Sequence, residues 1–70
     1  MVRIDILTGP WHAAGNGLLK RRKVLAKVAH DTWSTHIEVV NEDGTSSYLW
    51  GHDHSNFREA IIEFDERRVT

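Results

Sequence analysis

The sequence predicts a small, single-domain β-rich α+β fold: an antiparallel sheet, open or partly closed into a barrel, with one C-terminal helix. Three observations carry this. Asn41-Glu42-Asp43-Gly44 is a tight-turn signal between β-prone runs, because Gly44 supplies the positive φ that such turns need. Ahead of it, Thr35, Ile37 and Val39 alternate with His36, Glu38 and Val40, the period of a strand. Near the end, Phe57, Ala60, Ile61 and Phe64 fall at i, i+3, i+4 and i+7, one stripe of an amphipathic helix.

The elements follow in order. Val2, Ile4 and Ile6 alternate with Arg3 and Asp5 as a half-buried strand, which Gly9-Pro10 ends. Residues 9–17 hold three of the five Gly and the only Pro, so they read as a loop, with Trp11 as a lid over the core. Residues 18–30 fit two patterns. As a helix they place Leu18, Leu19, Leu25, Ala26 and Ala29 opposite Lys20, Lys23 and Lys27, giving a β-α-β-β-α order. As a strand they alternate without a clean face, and Asp31-Thr32 turns directly into the next strand; the strand reading is preferred. The hairpin pairs 35–40 with 45–50, and the helix spans about 55–67 with Ser55 as its N-cap. The expected core is Ile4, Ile6, Leu18, Leu25, Val28, Trp33, Ile37, Val39, Leu49, Phe57, Ile61 and Phe64.

Size and composition narrow the function. Seventy residues support one modest core, burying about three-fifths of the unfolded surface. No apolar run exceeds three residues, so no membrane span is expected, and without an N-terminal apolar stretch the expected address is cytoplasmic. With no Cys there is no disulfide, thiol nucleophile or thiolate metal site. No nucleophile elbow, zinc-protease helix or P-loop pattern is present, so the expectation is a non-catalytic protein with no cofactor.

Charge is unevenly spread. The net −1 hides six Lys/Arg against two acids in residues 1–35, and three Arg against eight acids in residues 36–70. Lys20, Arg21, Arg22 and Lys23, with Lys27, are what a phosphate-contacting surface needs, and Trp33 and Trp50 (with Trp11) offer stacking faces for unpaired bases. The leading expectation is therefore a binding module for nucleic acid or a nucleoprotein complex. A solvated basic face, or one paired with the acidic helix, competes with it, since the pI is near 6.5. A second expectation is a protein–protein interaction module or small protein inhibitor using Glu59, Glu63 and Glu66 of the helix, or the aromatic hairpin. A third is a metal-binding protein: His52 and His54 lie i, i+2 on one strand face, with His36 in the facing strand as a third ligand. A polar strand end leading into the helix cap explains the same histidines without a metal. A homo-oligomer is compatible with all three.

Residues 24–50, with Ala26-Lys27, Asp31 near Trp33, and Asp43-Gly44, resemble the strand–turn–strand core of Tudor and other SH3-like barrels over 27 of the 70 residues. That resemblance implies short, strongly bent antiparallel strands in a partly open SH3-like barrel that binds peptides or nucleic acids. The helix read at 55–67 departs from that pattern.

Overall fold

The computed structural model describes residues 3–15 and 17–68; Val2, expected in the first strand, lies outside the described residues. The element order is β1 (Ile4–Thr8), β2 (His12–Ala13), β3 (Leu18–Ala29), β4 (Thr32–Asn41), β5 (Ser46–His54) and α1 (Phe57–Glu66). All pairings are antiparallel, in the order β1-β3-β4-β5, with β2 continuing the β1 edge along β3. The sheet stays open, because β1 and β5 pair with no further strand among the described residues. Closure into an SH3-like barrel does not occur. No helix among the described residues is long and apolar enough to cross a membrane.

Residues 18–29 are a strand and not the helix of the β-α-β-β-α alternative. The reason explains the ambiguity of their pattern. Val24, Leu25 and Ala26 are fully buried in succession, so both faces of this central strand are covered and no polar alternation is needed. Leu25 meets Ala60 and Phe64 of α1, with Trp33 and Ile61 packed around them. Its neighbours Val24 and Ala26 point to the opposite face, which carries no helix.

The β4–β5 hairpin forms where expected and runs longer on both strands. Gly44 takes φ +89, and its N–H donates to the Asn41 carbonyl at 2.9 Å. The Asp43 carboxylate accepts from the Thr45 hydroxyl at 2.7 Å and the Thr45 N–H at 2.9 Å, which holds its carboxyl below the usual range.

The core differs from expectation at its edge. Ile4 and Ile6 are exposed, since β1 is an edge strand that α1 does not reach, and Phe57 is exposed at the first turn of the helix. Val24, Ala26 and Ala60 take their place. The helix is capped by Asn56, not Ser55: the Asn56 side chain accepts from the Glu59 N–H at 3.2 Å. Asn56→Ala should therefore cost about 1 kcal/mol in urea unfolding, while Ser55→Ala should be close to neutral. Equal losses would contradict the assignment.

Candidate functional site

Strand alternation sorts the chemistry onto two faces. On the face without the helix, cross-strand partners align Arg22 with Glu38, and Glu38 with Tyr48. Arg22 Nε donates to Glu38 Oε1 at 2.8 Å. Arg3 pairs with Asp5 at 3.0 Å, donates to His36 Nε2, and lies 4.1 Å above the Tyr48 ring. His36 meets Tyr48 edge-on at 4.8 Å. Roofed by Arg3 and Tyr48, His36 is only 3% exposed although no helix covers it. Burial first, and the Arg3 charge second, push its imidazole down to about 4; Nε2 of the neutral ring then accepts a hydrogen bond from Arg3 Nη2. At the strand edge, Lys20 and Arg22 sit 4.4 Å and 4.2 Å over the Trp11 ring. Trp11 is thus a half-exposed platform for two cations and not a core lid.

Trp50 sits at a defect in the ladder. Thr35 pairs with His52 and Ile37 with Leu49, so Trp50 and Gly51 together oppose His36 as a β-bulge. Trp50 adopts φ 56, a left-handed conformation that costs a bulky residue about 1–3 kcal/mol. Its carbonyl accepts from Arg67 Nη2, and the residue is 64% exposed.

The helix side carries a second cluster, centred on Glu63. The fully buried Thr35 hydroxyl donates to Glu63 Oε1, His54 Nε2 donates to the same oxygen at 3.1 Å, and His52 Nδ1 donates to Oε2 at 2.9 Å. Arg67 Nη1 lies 3.8 Å away. Burial opposes ionisation, but these donors outweigh it and hold the Glu63 carboxyl down to about 2.

The predicted sites are redistributed accordingly. The basic run does not form one surface: Lys20 and Arg22 lie on the helix-free face, while Lys23 and Lys27 lie on the helix side. Lys23 Nζ donates to the Asp65 carbonyl at 3.3 Å and lies against Phe64, and Lys27 lies over Trp33. Arg21 pairs across with Val39 on the helix side, with its Nε buried and unpartnered. Trp33 packs on Phe57 at 5.6 Å, as a core ring and not a stacking platform. Of the three acids, Glu59 and Glu66 are exposed, but Glu63 is turned in toward Thr35 and the histidines. His52 and His54 do share a face, as their spacing predicts, whereas His36 is on the other one. The three do not converge, and among the described residues no group of three His, Cys, Asp or Glu is arranged to hold a metal.

Arg3 and Tyr48 were not among the predicted contact residues. Their only sequence signal is phase: Arg3 alternates with Ile4, and Tyr48 alternates with Leu49 in the hairpin. In comparisons with protein-family models, curated proteins and solved structures, nothing matches this chain.

Proposed function

We propose that this chain is a non-catalytic binding module that holds single-stranded nucleic acid against the helix-free face of its sheet. What supports the reading is the pairing of aromatic rings with cations across that face, Trp11 under Lys20 and Arg22 and Tyr48 under Arg3, with the exposed Trp50 two residues beyond Tyr48 on β5. Unpaired bases stack on such rings and on guanidinium planes, and the cations meet phosphates. Duplex DNA fits less well. Alternation leaves only Lys20 and Arg22 of the five-residue basic group on this side, and Arg3 and Arg22 already have carboxylate partners. Affinity therefore rests on stacking more than on charge.

The magnitudes follow. With Lys20 free and Arg3 and Arg22 shared with carboxylates, at most three phosphate contacts form, so the log–log salt slope on a single strand is no steeper than about −2, against about −4 to −5 for five cations on a duplex. Tyr48→Ala and Trp50→Ala should each weaken binding about 5- to 150-fold. Lys27→Gln should change little. Fluorescence anisotropy with a labelled oligothymidylate and a matched duplex, at about 50 and 200 mM salt, checks all three. Absence of binding at the lower salt, or equal sensitivity to Lys27→Gln and Tyr48→Ala, contradicts the reading.

A further inference from the structure

We propose that the helix-bearing side is a self-association surface on which two copies of this chain pack as a two-fold pair. This is independent of the nucleic-acid reading, because it uses the other side of the sheet.

α1 leaves one edge of the sheet uncovered. The helix lies over β3, β4 and β5 and does not reach β1. Yet the helix-side positions of β1 are apolar: Leu7 pairs across with the core residue Leu25, and Ile4 with Lys27. Ile4 is 55% exposed, and Leu7 is exposed beside it. On the helix, Glu59, Ile62 and Glu66 share the stripe away from Ala60 and Phe64, and Ile62 is 50% exposed. Ile4 and Leu7 on β1 and Ile62 on α1 are thus the exposed aliphatic side chains that a partner on this side would cover.

Charge selects a second copy as the occupant. Among the described residues the carboxylates in ion pairs are Asp5, Glu38 and Glu63. Among the described residues, Glu59, Asp65 and Glu66 on the helix take no cation, and Lys23 and Lys27 on the helix side of β3 take no carboxylate. Each molecule thus carries both halves of a complementary set, which is what an isologous interface requires. A two-fold rotation lays the Glu59–Ile62–Glu66 stripe of one copy along Ile4, Leu7 and Lys27 of the other, and the reverse. The pair leaves both helix-free faces outward.

Sedimentation equilibrium from micromolar to millimolar protein, without nucleic acid, tests this. The expected mass rises toward twice the 8.1 kDa of the chain. Ile62→Asp and Ile4→Asp should each raise the dimer Kd about tenfold or more, and Lys27→Glu should do the same. Combining Lys27→Glu with Glu59→Lys and Glu66→Lys should restore the wild-type Kd. Far-UV circular dichroism checks folding, and should any Asp variant unfold, the exposed pair Glu59→Lys with Glu66→Lys supplies the same reading. A monomer mass throughout, as expected if an unrelated protein covers this side, overturns the proposal. So does a dimer that none of these changes weakens. Either result leaves the oligonucleotide titration unaffected, so the two proposals fail separately.

Discussion

Lowering the pH from 6.5 toward 4 should remove on the order of 3 kcal/mol of stability, and His36 is the cause. Its imidazole is held near 4 by burial first and by Arg3 second; Asp5 and Glu38 pull the other way without prevailing. Across that window the unfolded chain binds a proton that the folded chain refuses, so acid favours unfolding. The contribution is complete above pH 6.5 and is lost as the pH falls to about 4. For 70 residues, total stability is about 4–10 kcal/mol, so the loss is a large fraction of it. Glu63 extends the decline. Its carboxyl lies near 2 instead of 4.5, so its contribution is present above pH 4.5 and disappears as the pH falls toward 2. Urea unfolding at several pH values reads both windows. His36→Gln should flatten the upper window, and Glu63→Gln the lower one. A His36→Gln profile that still falls between pH 6.5 and 4 would show that another group carries the effect.

Leu25→Ala should cost about 2–5 kcal/mol and lower Tm by well over 10 °C. Leu25 is fully buried where the sheet meets Ala60 and Phe64, so truncation leaves a void between two layers that cannot both close on it. Ile4→Ala removes a comparable volume from an exposed edge position and should cost less than about 1 kcal/mol in the isolated monomer. Thermal unfolding of the pair, below the concentration at which any dimer forms, separates them. Equal losses would mean that β1 is as deeply packed as β3, against the exposure of Ile4.

The contrast between these two residues also shows what the sequence could reveal. Ile4 and Ile6 alternate as cleanly as any strand, and they do form one. Alternation reports the period of the backbone, however, and not whether a second layer covers the strand. The opposite difficulty occurs at Val24-Leu25-Ala26, where burial on both faces erased the alternation and left a helix as a legible alternative to the preferred strand. The β4–β5 hairpin was readable because Asp43-Gly44 fixes its turn locally, and the helix because its apolar stripe is local too. The Glu63 cluster was half readable: the spacing of His52 and His54 put them together, but their partners Thr35 and Glu63 are 28 residues apart and meet only through packing. Gly51, a glycine inside a strand run, is the one local sign of the bulge. Its left-handed residue is a tryptophan, with the glycine one position later.

Amide and indole chemical-shift mapping during titration with an unlabelled single-stranded oligonucleotide shows whether the ligand lies on the face that carries Arg3, Trp11, Lys20, Arg22 and Tyr48, with Trp50 beside it. The expected shifts fall at Tyr48, Trp50, Lys20 and Arg22 and at the Trp11 indole, with Glu59, Ile62 and Glu66 unmoved. Shifts centred on the helix, or none at saturating oligonucleotide, would contradict that placement.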